Sequence, residues 1–203
     1  MDDYTIRQEN KSDYAAVENL VREAFWNVYR PGCLEHYVLH CFRGREDFVP
    51  ELDLVLEKDG EIIGQTMYVR AEIELAGGGA LPIMTFGPIS IAPKFQRQGY
   101  GMKLLVESMN RAKNLGVGAL AIPGNINFYG KAGFGVGKLR NIFYRDDPDA
   151  EYFLVKELLP DFLSGVTGTY STPAGYFVDA AEAESFDRKF PPKQKLKLPT
   201  QIF

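Results

Sequence analysis

The sequence predicts an α/β domain: a central mixed, largely antiparallel sheet with helices on both faces, followed by a C-terminal extension. Three observations carry this reading. Asp59-Gly60 and Gly77-Gly78-Gly79 are tight-turn sequences between strand-like runs. Met67, Val69, Ala71, Ile73 and Leu75 alternate with Tyr68, Arg70, Glu72 and Glu74, a period of two. The run Ile83–Ile91, the turn Gln96-Arg97-Gln98-Gly99-Tyr100-Gly101 and the helical pattern Met102–Leu115 read as strand, glycine turn, helix.

In chain order, residues 4–8 predict a first strand. Ser12 or Asp13 is the expected N-cap of a helix whose apolar face is Tyr14, Val17, Leu20, Val21 and Phe25. Pro31-Gly32 ends that stretch. The segment Cys33–Phe42 reads as a second helix turning Leu34, Tyr37, Val38 and Cys41 inward. His36 and His40 sit at i, i+4 on it, so one face has metal-ligand spacing, although the apolar pattern explains the helix without metal. Two cysteines do not make a disulfide framework.

Residues 52–57 predict a strand, and 81–92 another that contains Gly87-Pro88. A proline gives the ladder no N–H, so this marks an edge or a bulge. Tyr100–Asn114 is the expected helix, with Leu104, Leu105, Met109, Ala112 and Leu115 inward and Gly116 as its stop. A strand at 118–122, a short helix at 125–132 and strands at 136–144 and 152–155 follow. Beyond residue 158 the pattern loosens, with a strand expected at Tyr176–Val178 and a helix at Ala180–Phe190 ended by Pro191-Pro192. The expected organisation is therefore 1–157 as the domain and 158–203 as an extension packed on it, too poor in apolar residues to fold alone.

The turn at 96–101 carries the clearest chemistry. Its glycines allow φ > 0 and close approach of backbone to a ligand. The amides of a helix's first turn point at whatever sits there, and their partial positive charge favours a phosphate. Gln96 and Arg97 add side-chain donors. The turn lacks the Lys-Ser/Thr of a P-loop and the third glycine of a dinucleotide fingerprint. Downstream lies Gly124-Asn125-Ile126-Asn127-Phe128-Tyr129-Gly130-Lys131-Ala132-Gly133-Phe134.

On these two motifs the sequence resembles the GNAT superfamily of acyl-CoA N-acyltransferases. The family's pyrophosphate loop, Gln/Arg-x-x-Gly-x-Gly/Ala, matches 96–101 at every fixed position. Its later Tyr-x-x-x-Gly-Phe matches Tyr129, Gly133 and Phe134. The resemblance covers about residues 3–145. It implies a bulged fourth strand splayed from the fifth, with pantetheine in the gap. It implies acetyl-CoA as co-substrate, held by Gln96, Arg97, Gln98, Gly99, Tyr100 and Gly101 at the pyrophosphate and by backbone near Ile89 and Ile91 along the arm. Asn125 and Asn127 either cap the short helix or contact pantetheine. Tyr129 is the candidate general acid for the leaving thiolate, against a reading in which it only fills space over Phe134.

The same resemblance makes the segment joining the first two helices part of an acceptor site. Trp26, Tyr29 and His36 are candidates there, against simple aromatic packing. The expected reaction is transfer of acetyl to a primary amine in a direct ternary complex. The alternatives are a non-catalytic acyl-CoA-binding or sensing protein and an unrelated nucleotide-binding enzyme. Glu51, Asp53, Glu72 and Glu74 are the candidate bases. The acceptor, a small molecule or peptide amine, stays open.

Composition bounds these expectations. Net charge −4 and pI ≈ 5.3 argue against a general nucleic-acid binder. No apolar run reaches transmembrane length, and the acidic start Met1-Asp2-Asp3-Tyr4 lacks signal-peptide character, so a cytoplasmic monomer or homodimer is expected. Glu46, Asp47, Glu51, Asp53, Glu57, Asp59 and Glu61 form an acidic run opposed by Lys58. It would draw in a cationic amine or be a solvated hairpin face.

Overall fold

The computed structural model describes residues 4–201. Its elements are β1 (Thr5–Gln8), α1 (Tyr14–Phe25), α2 (Glu35–Phe42), β2 (Leu54–Lys58), β3 (Glu61–Leu75), β4 (Ala80–Ile91), α3 (Tyr100–Asn114) and β5 (Ala119–Pro123). There follow α4 (Ile126–Tyr129), β6 (Gly135–Val136), β7 (Ile142–Tyr144), β8 (Phe153–Glu157), β9 (Gly168–Tyr170) and α5 (Ala180–Asp187). The strands follow the order β1-β2-β3-β4-β5-β8-β6, with β9 beside β3 and β7. Most neighbours are antiparallel; β4 with β5 and β7 with β9 are parallel. This is the mixed α/β fold expected. Among the described residues, no helix is long and apolar enough to cross a membrane.

The chain forms two compact units. The first takes Met1–Met67, Pro88–Leu104 and Ala174–Phe203. Here β1, β2 and the first half of β3 pair antiparallel, Ile6 opposite Leu56 and Val55 opposite Gln65. Asp59 at φ 52 and Gly60 at φ 77 close the β2–β3 hairpin, both central residues left-handed as the tightest hairpin turns demand. Leu54, Leu56, Ile63, Ile91 and Leu104 form an apolar core against which Ile89 and Tyr100 pack.

Helices α1 and α2 of this unit are covered by the C-terminal segment. Arg22, its side chain 2% exposed, donates to Asp187 at 2.6 Å and to the Pro191 carbonyl at 3.1 Å, and lies 4.2 Å from the Trp26 ring centroid. Removing one partner of so buried a pair costs about 3–5 kcal/mol. His36 is fully buried between the rings of Phe186 and Phe190. The inward face of α2 is therefore His36, Val38, Leu39 and Phe42, about a residue out of phase with the face expected from the sequence. Burial pulls the His36 imidazole down to about 4, with the nearby Asp187 carboxylate opposing.

The second unit takes Tyr68–Gly87 and Leu105–Pro173. Its strands stack Ile73, Ile83, Ala121, Phe153 and Tyr170 into a core, the last two rings 5.1 Å apart. Helix α3, which runs from the first unit into the second, ends as expected. Gly116 at φ 84 is its left-handed stop, and the Val117 N–H reaches back to the Ala112 carbonyl. Leu115, expected inward, is 54% exposed, because the helix has already ended at Asn114.

Two expected strands differ. Residues 136–144 split into β6 and β7 around a 3₁₀ turn at Gly137–Arg140, ended by Asn141 at φ 59. The turn opens on Gly137, where no side chain fits: a β-carbon there would meet the Phe153 ring at 2.6 Å and the Ile142 carbonyl at 2.7 Å. Tyr176–Val178, expected as a strand, is not one: Ala174–Tyr176 is a 3₁₀ turn with no regular structure at 177–178, and Gly175 packs its bare backbone on the Phe42 ring. The strand of that region is β9, whose Gly168 lies against the Glu74 carbonyl.

Candidate functional site

In the first unit, β4 leads through Pro93–Phe95 into the glycine turn and α3. Gly87 stands at φ 125, and Pro88 after it brings no N–H to the ladder, so this point of β4 departs from regular strand geometry. The side chain of Ile91 lies in the core and that of Ile89 packs against it. Within the turn, Arg97 takes φ 60 and Gly99 φ 88. The first helical bonds run from the Met102 and Lys103 amides to the Gly99 carbonyl, both 3.1 Å. The amides before them are first-turn amides with no carbonyl one turn back.

The turn's side chains divide between building it and facing outward. Gln96 donates to the Ile91 carbonyl at 2.9 Å and Gln98 to the Lys94 carbonyl at 3.0 Å, so both fasten the turn to what precedes it. The Tyr100 ring meets Phe95 and Tyr4 edge-on. Arg97 is exposed. A β-carbon at Gly99 would meet nothing within 4 Å, so that side of the turn is open. Gly101 is the second residue of α3, so of the two glycines only Gly99 is needed for a left-handed φ. An open, cationic, amide-lined turn fits a pyrophosphate.

In the second unit, α4 begins where Asn125 accepts the Asn127 amide at 2.9 Å, the capping role foreseen for Asn125. Asn125 and Asn127 are exposed. The Tyr129 ring is caged edge-on by Phe86 and Phe134, each with centroids 5.7 Å away, and by Phe128 at 5.0 Å. The Phe134 amide donates to the Tyr129 carbonyl at 3.2 Å, and Gly133 makes that return possible at φ 86. The ring also lies on Gly124, where a β-carbon would be 2.5 Å from Tyr129 Cε2.

Behind this cage Phe86 stacks on Tyr68, which is fully buried and hydrogen-bonded to Ser108 at 2.8 Å. Ser108 donates to the Leu105 carbonyl, so Tyr68 donates to Ser108. In the sequence Gly124 only headed the downstream motif, Tyr68 stood on the polar side of the β3 alternation although it is buried, and Phe86 was not singled out. The glycine beginning the Gly124-Asn125 pair was the available signal for the first, and the two rings carried none.

The remaining candidates are dispersed. Trp26 is buried, with Arg22 over its ring and its Nε1 donating to the Gln194 carbonyl. With His36 buried as well, Tyr29, 48% exposed, is the member of that trio open to solvent. His36 faces Asp187 while His40 pairs with Glu18 at 2.8 Å, and among the described residues no three His, Cys, Asp or Glu side chains group as a metal site would.

The acidic run is largely neutralised. Asp47 pairs with Arg45, Glu57 with Arg7, Asp59 with Lys58 and Glu61 with Lys94. Of the candidate bases, Glu74 is tied to Arg145, and Glu51 and Glu72 are exposed. Asp53 is 3% exposed, and burial raises its carboxyl above the ordinary range. Its neighbour Glu9 is raised too, by burial first and by Asp53 second, against the Arg43 guanidinium at 2.7 Å.

Residues 5–137 match the family described as acetyltransferase (GNAT) domain. The chain belongs to the GNAT acetyltransferases. The family's enzymes take their acyl group from acetyl-CoA, and the strand–turn–helix geometry above is the part of the fold that fits such a donor. Among solved structures, the chain is similar to the GNAT N-acetyltransferase YhbS of Escherichia coli, solved in complex with CoA. That match has 24% identity and TM-score 0.74, covering 85% of this chain and 91% of that one. It is also similar to a GNAT acetyltransferase of Brucella melitensis, solved with acetyl-CoA, at 22% identity and TM-score 0.68, covering 86% and 98%. Both likenesses bear on the fold. A search of curated proteins finds no match.

Proposed function

We propose that this GNAT acetyltransferase moves acetyl from acetyl-CoA to a primary amine by direct attack in a ternary complex. The observation that carries the donor half is the turn at 96–101: left-handed Arg97 and Gly99, an open face at Gly99 and first-turn amides at the head of α3. Acetyl-CoA supplies the activated acetyl group. Amides around Gly99 and Gly101, with the Arg97 guanidinium, hold the pyrophosphate, and the backbone of Ile89 and Ile91 lines the pantetheine arm. Exposed Asn125 and Asn127 are further contacts for that arm. Tyr129 gives its phenolic proton to the departing sulfur. We place the transferase in residues 1–157, with 158–203 as an extension.

Direct transfer is supported by the state of Cys33. Its thiol is buried, contacts His36 Nδ1 at 3.3 Å, and is raised well above the usual range, chiefly by burial. A nucleophilic cysteine needs the opposite environment. An acceptor amine has a pKa of roughly 10 and must lose a proton before it attacks. The loop joining α1 to α2, with exposed Val28 and Tyr29, is the proposed wall of the amine site.

The test pairs binding with turnover. Acetyl-CoA is expected to raise the Tm, because a ligand of the folded state alone stabilises it. CoA release is expected with at least one amine from a panel of polyamines, amino acids, aminoglycosides and short peptides. Stabilisation without release from any amine would make the protein an acyl-CoA binder. No stabilisation would remove the donor site itself.

A further inference from the structure

The loop joining α1 to α2 is tied down by the C-terminal segment at one residue. Asn27 sits just past the end of α1 at φ 61, a conformation asparagine tolerates better than most residues. All of its polar groups are engaged. Its N–H donates to the Gly32 carbonyl at 2.9 Å, and its Oδ1 accepts the Gly32 amide at 2.9 Å, closing the loop on itself. The same Oδ1 accepts the Leu196 amide at 3.0 Å, and Nδ2 donates to the Gln194 carbonyl at 3.0 Å. The Asn27 carbonyl accepts from Gln201 Nε2 at 3.0 Å.

Because the partners of Oδ1 are backbone amides and that of Nδ2 is a carbonyl, the orientation of the Asn27 side chain has one solution. Gln201 is held in turn: Nε2 also donates to the Leu196 carbonyl, and Oε1 accepts the Leu198 amide at 2.8 Å. Two ion pairs fasten the strap to helices, Lys193 to Glu23 and Lys195 to Glu184. The Lys195 stem lies on Gly32, where a β-carbon would meet Lys195 Cε at 3.0 Å. The loop's apolar groups, Val28 and Tyr29, are left facing solvent at 42% and 48% exposure.

A strap that merely covered the helices would not need to bond the loop's own carbonyl and side-chain amide. We propose that the strap Lys193–Gln201 is a positioning element: it sets the conformation of Asn27–Gly32 and thereby decides which amine the enzyme accepts. This rests on the reading of that loop as a wall of the amine site.

The test uses full-length protein and four substitutions. Gln201→Glu puts a carboxylate oxygen where Nε2 now donates to two carbonyls. Asn27→Asp keeps the left-handed backbone and Oδ1 but opposes the Gln194 carbonyl. Gln201→Ala is the milder variant, kept in case either charged one fails to fold. Tyr29→Ala probes the loop's amine-site role directly. The readouts are hydrogen exchange at residues 28–32, and KM for acetyl-CoA and for the best amine among spermidine, an aminoglycoside, free amino acids and a short peptide.

Strap variants are expected to speed exchange in the loop and raise the amine KM about tenfold, the scale of one or two lost hydrogen bonds. KM for acetyl-CoA should stay within about twofold, since that site is untouched. A lower Tm with both KM values unmoved would make the strap structural only and overturn the proposal. An amine KM raised by Tyr29→Ala but not by the strap variants would overturn it while keeping the loop in the site. If Tyr29→Ala also leaves the amine KM alone, or the parent acetylates no amine, the underlying reading falls and the proposal with it.

Discussion

The Tyr129 ring lies over the α-carbon of Gly124, with 2.5 Å between Cε2 and the position a β-carbon would take. No side chain fits there without moving the ring. Gly124→Ala is therefore expected to displace Tyr129 while sparing the turn at 96–101. A displacement of about 1 Å at a reacting group is enough to cost on the order of 10²-fold in rate. Steady-state kinetics with a fixed amine should show kcat down and the acetyl-CoA Kd close to the parent's. A kcat within twofold of the parent's, roughly the noise of such a comparison, would mean the ring position is immaterial.

Gly99 is expected to be the sensitive glycine of the turn. Valine at φ 88 is in a region β-branched residues avoid, at a strain of about 1–3 kcal/mol. Its side chain would also project into the open face proposed for the pyrophosphate. Gly99→Val should abolish stabilisation by acetyl-CoA in a thermal-shift titration. Gly101→Val, inside the first turn of α3, carries no such strain and should weaken binding through its side chain alone. Normal acetyl-CoA binding by both variants would remove the turn from the donor site.

Stability should fall with rising pH on account of Glu9. Its carboxyl is pushed up to about 9 from 4.5, by burial and then by Asp53, and Arg43 compensates only in part. The folded protein thus keeps a proton that the unfolded chain has released. That contribution is complete below the unfolded value and is lost as pH climbs toward the folded one. Tm is expected to decline from about pH 5 to about pH 9, and Glu9→Gln, which carries its own hydrogens, should flatten the decline. A parental slope in the glutamine variant would place the titration elsewhere.

What could be read in the sequence was what local rules decide. Asp59-Gly60 had to be a left-handed pair, Gly116 had to stop α3, and the strand–turn–helix around Gly99 followed from spacing. On α2 only Val38 of the expected inward residues is buried; His36 is buried instead against Phe186 and Phe190, some 150 residues on. Where 136–144 splits, Gly137 is crowded by Phe153 and Ile142, a contact that the local sequence does not show. The candidate site divides in the same way. Asn125 as a cap is a local signal, whereas Gly124 under Tyr129, Phe86 beside it and the strap on Asn27 are contacts that no periodicity announces.

Tyr129→Phe isolates the proton. The ring keeps its cage, since Phe86, Phe128, Phe134 and Gly124 all meet carbon atoms of the aromatic face or edge. The backbone return from Phe134 is likewise unaffected. Only the hydroxyl is lost, so the fold and the acetyl-CoA Kd should hardly change. A thiolate leaving without a general acid leaves more slowly, by about 10²–10⁴-fold where proton transfer is part of the rate-limiting step. The measurement is single-turnover transfer to the best amine, together with acetyl-CoA Kd by titration. Slower transfer at unchanged Kd assigns the proton to Tyr129. Unchanged transfer, with chemistry rate-limiting, reduces the residue to packing. A weakened Kd at unchanged transfer rate would mean that the hydroxyl holds acetyl-CoA in place, and the acid must then be sought in another group.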